Sequence, residues 1–247
     1  MDDSNPVEHY WYPHPPCLIP LFVGHGASYK GLIQHFFCER KQTFAEYFLE
    51  HGFVSEIARN ADQFITLMVL KMILTKDGLT TDILDFCKQV NYTQYEALDE
   101  FTLEYGDNPE KFNHLPFFTR HLPFKYLKDL LDYYGDFPSS IYILNHESIV
   151  KQASIFEIAP RAKLSEVENL PVWLSSFEGN QEKFYKFLEL GQFKEAWFML
   201  NTPGWLLKDL AQSLLELADK AGEPALTLVA ENWIFGWKQS TFVNGNL

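Results

Sequence analysis

Residues 18–37 read LIPLFVGHGASYKGLIQHFF, two apolar runs separated by a short glycine-rich segment. Both runs are rich in β-branched and aromatic residues, which is typical of β-strands. Gly24 and Gly26 can adopt positive φ angles without a Cβ clash, as a tight hairpin turn requires. We therefore predict two paired strands, 18–23 and 29–37, joined by a turn at GHG.

The segments that follow predict two further strands and then a helix. Residues 42–48 and 53–57 fit short strands, although TFAEYFLEH also fits one or two helical turns. From Asn60, a plausible N-cap, apolar residues recur at three- and four-residue spacings as far as Lys76. Asp77-Gly78 predicts the end of this helix.

The middle of the chain is predicted to be mainly helical. Thr80 or Thr81 can cap a second helix that runs to about residue 90, and TQYEALDEFTLEYG predicts a third that ends at Gly106. Turn signals and apolar runs beyond it predict a helix at 124–134 and strands at 140–144 and 154–158.

From residue 181 the chain is a succession of amphipathic segments, each of which ends near Gly or Asn and needs a neighbour to cover its apolar stripe. Residues 162–179 are predicted to be the linker to this region. The predicted fold class is α+β: a small antiparallel sheet with packed helices, followed by a helical C-terminal region. The predicted domains are 1–160 and 175–247.

The net charge of the protein limits the kinds of molecule that it is expected to bind. The formal net charge of −13 argues against a nucleic-acid backbone as direct ligand, because such binding depends on cationic side chains. An acidic protein can instead attract a basic protein over a distance. Aromatic residues make up 16% of the chain, more than a core readily hides, so some are expected on a contact surface.

The remaining composition predicts a cytoplasmic protein. Three widely separated cysteines, Cys17, Cys38 and Cys87, predict reduced thiols rather than a disulfide framework. The first residues are acidic and lack an apolar core, unlike a secretory signal. The longest apolar stretch, 64–74, is interrupted by Lys71 and is too short to cross a bilayer. No membrane association is expected.

The GHG segment raises the question of catalysis. A hydrolase would use Ser28 as nucleophile and His25 as base, but a nucleophile elbow needs Gly-x-Ser-x-Gly between a strand and a helix. Gly26-Ala27-Ser28-Tyr29-Lys30 lacks the second glycine. A zinc site is also not expected, since the spacing of the nearby candidates follows no paired-ligand pattern; these are His9, His14, Cys17 and His25. The sequence predicts no catalytic residue, cofactor or metal.

The acidic residues in the middle of the chain are better explained by a binding surface than by catalysis. Seven carboxylates make the middle of the chain acidic: Asp82, Asp85, Asp99, Glu100, Glu104, Asp107 and Glu110. Aromatic residues lie between them, and such residues are frequent anchors in interfaces. The predicted binding residues are Tyr92, Tyr95, Asp99, Glu100 and Tyr105, together with His25 and Tyr29.

Residues 18–37, followed by FVSEIARNADQFITLMVLKMI, resemble part of the SUKH superfamily of Smi/Knr-like proteins. The similarity lies in a Pro-initiated strand, a Gly-rich turn, a second strand, and a strand that leads into a helix; the corresponding residues are Pro20, Gly24, Gly26, Tyr29, Ile57, Ala58 and Phe64. This resemblance covers about residues 17–75. It implies an α+β unit that binds another protein, as in bacterial toxin-immunity proteins.

Three functional hypotheses follow. The first is a non-enzymatic binding protein, with an immunity protein that neutralises a basic toxin domain as its specific form. The second is a hydrolase that uses His25 and Ser28. The third is a helical adaptor in which residues 181–247 hold a peptide.

Overall fold

The computed structural model describes residues 14–127, except 24–27, 38, 40, 41 and 49–52, and residues 172–175, 179–240 and 245. The chain forms two compact units. The first, here called the helical unit, contains Glu56–Gly135. The second, here called the mixed unit, combines Asp3–Ser55 with Asp136–Leu247. This grouping by contact differs from the division at residues 160–175 that the sequence suggested.

The first four elements form a four-stranded antiparallel sheet with the strand order β1-β2-β3-β4, as a meander. The strands are β1 (Leu18–Val23), β2 (Ser28–Ile33), β3 (Thr43–Phe48) and β4 (Phe53–Ala58). In the hairpin, Leu18 pairs with Ile33 and Val23 with Tyr29. The predicted pairing around GHG and the two further strands are confirmed, whereas the turn itself lies outside the described residues.

A close approach between β1 and β2 explains why position 31 is a glycine. The register shifts between Pro20 and Phe22, and Pro20 lies opposite Gly31. Proline has no backbone N–H for the ladder and is tolerated in strands at such bulges. A Cβ on Gly31 would collide with the carbonyl oxygen of Ile19. Only glycine therefore lets the two backbones come this close.

In the mixed unit the described helices are α4 (Val172–Ser175), α5 (Asn180–Glu189), α6 (Phe193–Leu200), α7 (Leu207–Ala221) and α8 (Pro224–Gln239). The predicted succession of helices from residue 181 is confirmed. α7 ends at Gly222, whose φ of 62° is the left-handed conformation that favours glycine at this position. α8 begins directly afterwards, with Pro224 in its first turn.

The N-terminal residues of the mixed unit are hydrogen-bonded to its C-terminal helices. The indole N–H of Trp233 donates to the carbonyl oxygen of His14 at 2.6 Å. The backbone N–H of Cys17 donates to Oδ1 of Asn201 at 2.8 Å. The rings of Phe36 and Trp197 also meet edge to face, 5.1 Å apart. The sheet and the C-terminal helices thus share one core.

The helical unit contains α1 (Ala61–Lys76), α2 (Thr81–Gln89) and α3 (Tyr95–Tyr105), followed by 3-10 turns at Pro109–His114 and Phe124–Tyr126. The predicted caps are confirmed: the side chains of Asn60 and Thr80 accept from backbone N–H groups of the first turns of α1 and α2. Asp77 ends α1 in the left-handed conformation, with φ 57°. The remainder of the helix predicted at 124–134, and the strands at 140–144 and 154–158, lie outside the described residues.

The core of the helical unit is formed by apolar residues from all three helices, from the turn between α2 and α3, and from the segment that follows α3. Its buried members are Val69, Leu70, Ile73, Ile83, Cys87, Tyr92, Leu98, Phe101, Phe112, Leu115 and Phe118. In the part of the chain that the structure describes, no helix has both the length and the apolar composition that a bilayer span requires.

Candidate functional site

More than half of the net charge of the protein lies in one segment of the helical unit. Residues 81–110 carry eight carboxylates and one lysine, a net charge of −7 out of −13. All but one of these carboxylates are exposed, and Asp99 is half-buried. The segment comprises α2, α3 and the turns that follow each of them. The acidic surface is therefore a property of these two helices and not of the chain as a whole.

Helix α3 carries a stripe of like charge. Glu96, Glu100 and Glu104 are spaced four residues apart, so they lie on one side of the helix. All three side chains are exposed, whereas Leu98 and Phe101 belong to the core. Within the described part of the chain, none of the three carboxylates lies in an ion pair. Like charges at this spacing destabilise a helix by about 0.2–0.5 kcal/mol per pair.

The C-terminal end of α3 adds to this cost. The last turn of α3 contains no basic residue. A carboxylate near a helix C-terminus is unfavourable, because the carbonyl groups there give the end a partial negative charge. Glu104 stands in this turn, and its carboxylate, next to the hydroxyl of Tyr105, is the main cause of the raised pKa of Tyr105.

An apolar side chain lies within the acidic stripe. Leu103 is 84% exposed, the highest value among the exposed large hydrophobic residues of the described chain. It precedes Glu104 and lies seven residues after Glu96, so it shares their side of α3. On α2, Leu84 is 40% exposed between the exposed carboxylates Asp82 and Asp85. We call the exposed carboxylates and leucines of the two helices the acidic face; its members are Asp82, Leu84, Asp85, Glu96, Glu100, Leu103 and Glu104.

Beside the acidic face, the end of α3 packs against the following turn. The ring of Tyr105 stacks on His114, with 5.9 Å between centroids and 24° between planes. The ammonium group of Lys111 lies 5.6 Å from the centroid of the same ring. Tyr105 is half-buried as a result. It borders the acidic face as a fixed aromatic group.

The predicted binding residues divide between surface and core. Glu100 is exposed, and Tyr95, Asp99 and Tyr105 are half-buried. Tyr92 is 5% exposed and its hydroxyl is 3.1 Å from Oγ1 of Thr66, so it is a core residue and not a surface anchor. Burial raises the pKa of Tyr92 to about 12.

The two predicted residues from the hairpin belong to the mixed unit. Tyr29 is 1% exposed, and its ring meets that of His14 edge to face at 5.5 Å. It therefore fills the core, and its surface role was wrongly expected, since strand propensity does not show which face of a sheet is covered. His25 lies outside the described residues.

Three residues of the acidic face were missed by sequence reasoning: Leu84 on α2, and Glu96 and Leu103 on α3. None of them was among the predicted contact residues or the seven named carboxylates, although Glu96 and Leu103 complete the stripe on α3. The four-residue spacing of Glu96, Glu100 and Glu104 was the available signal for Glu96. The exposure of Leu103 had no such signal, because an apolar residue in an amphipathic helix is expected to face the core.

The residues considered for catalysis lie inside the sheet where the structure describes them. Ser28 is 1% exposed, and its hydroxyl is 3.5 Å from Oε1 of Glu46. The same oxygen is 3.6 Å from Nζ of Lys30, the cross-strand neighbour of Glu46. A nucleophile must reach a substrate, and Ser28 is covered by protein.

The residues considered for zinc binding are also part of the core. His14 is buried, and burial lowers its pKa to about 4. Cys17 is a buried free thiol whose pKa is raised by burial. Among the described residues, no group of three or more His, Cys, Asp or Glu side chains is placed to hold a metal ion. His9 and His25 lie outside this part of the chain.

Comparison with protein families, with curated proteins and with solved structures finds no match for this chain.

Proposed function

We propose that this chain is a non-enzymatic binding protein whose acidic face binds a basic protein. The observation that carries the proposal is the stripe on α3, where Glu96, Glu100 and Glu104 are exposed and form no ion pair with any described residue, beside the 84% exposed Leu103. Folding alone gains nothing from this arrangement, because the like charges repel and the leucine is left in water.

A basic partner would relieve both costs. Cationic side chains opposite the stripe would screen the repulsion along α3 and speed the encounter over several ångströms of water. An apolar pocket on the partner would cover Leu103, and burying a leucine side chain stabilises a complex by about 1.5–3 kcal/mol. The carboxylates would then contribute mainly to the association rate, and Leu103 mainly to the lifetime of the complex.

The specific form of this proposal is a bacterial immunity protein that neutralises a basic toxin domain. The resemblance of residues 17–75 to the SUKH superfamily and the net charge of −13 support it. We also propose a cytoplasmic location, which the buried free thiols of Cys17 and Cys87 support. The mechanism needs no cofactor, since binding alone would block the partner.

The test begins with co-expression of the chain and the products of adjacent genes, followed by affinity purification and a growth assay for protection. Binding kinetics of the purified pair are then compared between the wild type and the triple variant Glu96→Gln, Glu100→Gln, Glu104→Gln. We expect the association rate to fall about tenfold at low salt, with a smaller change in the dissociation rate.

The matched control makes the same charge change in the mixed unit, at the exposed residues Glu182, Glu189 and Glu231. A general effect of net charge would slow association equally in both triple variants and would contradict the proposed location. A Leu103→Ser variant should instead dissociate faster. If no basic protein binds and no protection is seen, the proposed function is wrong.

A further inference from the structure

A second surface of the helical unit has the opposite charge. Residues 111–127 contain Lys111, Arg120 and Lys125 and no carboxylate, directly after the segment that carries a net charge of −7. Arg120 is exposed, and so are the neighbouring His114 and His121. Between residues 81 and 127, charge is therefore separated along the chain into an acidic part and a basic part.

Within the basic part, one aromatic side chain is held at the surface. In the sequence LPFF, Leu115 and Phe118 are fully buried, whereas Phe117 between them is 45% exposed. One side of its ring faces Tyr92, with 6.2 Å between centroids. We call residues 115–121 the Phe117 loop. Its two buried residues anchor it in the core of the unit.

The backbone of Phe117 is in an unfavourable conformation. Its φ is 65°, the left-handed region that glycine and asparagine adopt readily and that a phenylalanine rarely does. The fold therefore bears both backbone strain and an exposed aromatic ring at the same residue. Strain of this kind is concentrated at functional sites, where the surrounding structure maintains it.

One buried side chain maintains this conformation. Gln63 is 1% exposed, and its Nε2 donates to the carbonyl oxygens of Phe117 at 3.0 Å and of His121 at 2.9 Å. Its Oε1 accepts from the backbone N–H of Arg59 at 2.8 Å. A single residue of α1 thus fixes the loop at two points, at Phe117 and at its end, His121. A loop that is already ordered loses little entropy when it binds.

We propose that the Phe117 loop is a docking surface for an acidic peptide segment that carries an apolar side chain. The apolar side chain would pack on the exposed part of the Phe117 ring, and a neighbouring carboxylate would pair with the guanidinium group of Arg120. Aromatic residues and arginine are the residue types that most often dominate binding energy. This surface is separate in sequence from the acidic face and does not depend on the function proposed for it.

The test uses two fluorescein-labelled peptide pools, each with one Phe or Leu at the centre. The flanking residues are Glu and Asp in one pool and Lys in the other. Fluorescence anisotropy with the full chain should show binding of the acidic pool only. Phe117→Asn should weaken this binding about tenfold or more. Arg120→Glu, which replaces an exposed residue, should weaken it to a similar extent.

The Phe117→Asn variant separates binding from folding, because asparagine suits the left-handed backbone. Its thermal transition should be equal to or higher than that of the wild type. The control is Leu228→Asn, which removes an exposed apolar side chain from α8 in the mixed unit and should leave peptide binding unchanged. The proposal is wrong if both pools bind equally or if the acidic pool does not bind at about 1 mM protein. It is also wrong if Phe117→Asn and Arg120→Glu both bind the acidic pool as the wild type does.

Discussion

Asn201 joins the two ends of the mixed unit, and its replacement by alanine tests that connection. Its side chain is 1% exposed. Oδ1 accepts from the backbone N–H of Cys17 at 2.8 Å, and Nδ2 donates to the carbonyl oxygen of Trp197 at 2.8 Å. The first bond joins residues 184 positions apart in the sequence. Alanine at this position can make neither bond.

The expected loss of stability follows from the buried backbone groups that would lose a hydrogen-bond partner. Each hydrogen bond contributes about 0.5–1.5 kcal/mol, and a buried donor without a partner costs about 1–3 kcal/mol. Because the N–H of Cys17 and the carbonyl of Trp197 would lose their side-chain partner together, we expect Asn201→Ala to lower the free energy of unfolding by about 2–4 kcal/mol. With a typical dependence on urea, the midpoint should fall by about 1–2 M.

Tryptophan fluorescence during urea unfolding is the appropriate assay, because all six tryptophans lie in the ranges of the mixed unit and none in the helical unit. Amide hydrogen exchange adds a local measurement: the N–H of Cys17 should exchange faster in the variant. The control is Asn232→Ala, an exposed asparagine of α8. If the free energies of unfolding of the two variants differ by less than about 0.5 kcal/mol, the conclusion that Asn201 holds the N-terminal segment to the helices is refuted.

Three further predictions concern other parts of the molecule. Gly31→Ala should reduce the free energy of unfolding by about 1–3 kcal/mol or more, because a Cβ would meet the carbonyl oxygen of Ile19. The melting temperature measured by tryptophan fluorescence should fall accordingly, and a variant as stable as the wild type would contradict the close approach. Burial lowers the pKa of His14 from 6.5 to about 4, so the unfolded state binds more protons between these values and stability should fall as the pH drops from 7 to 4, by up to about 3 kcal/mol; this slope should be smaller in His14→Gln, and identical slopes would exclude the contribution. Tyr92→Phe should lower the free energy of unfolding of the helical unit, followed by circular dichroism, by about 1 kcal/mol and should not weaken partner binding. Weaker binding at unchanged stability would instead indicate that Tyr92 contacts the partner.

Much of the fold could be predicted because its signals are local. Asn60 and Thr80 cap helices with their own side chains, and Asp77-Gly78 ends a helix within two residues. The hairpin could be predicted for the same reason, since strand propensity and turn residues lie within twenty positions of one another. The candidate site was predicted only in part: the acidity of residues 81–110 is a matter of composition, but the burial of Tyr92 depends on packing against Thr66 of α1.

The sequence by itself determined the α+β class, the order of the described strands and helices, and the concentration of negative charge in α2 and α3. These follow from propensity, periodicity and composition, which act over a few residues at a time. Only the tertiary structure decided that the hairpin shares a core with helices from the other end of the chain, through bonds such as that between Trp233 and His14, 219 residues apart. The same holds for the exposure of Phe117, because side-chain burial is set by residues distant in sequence that the chain brings together only on folding.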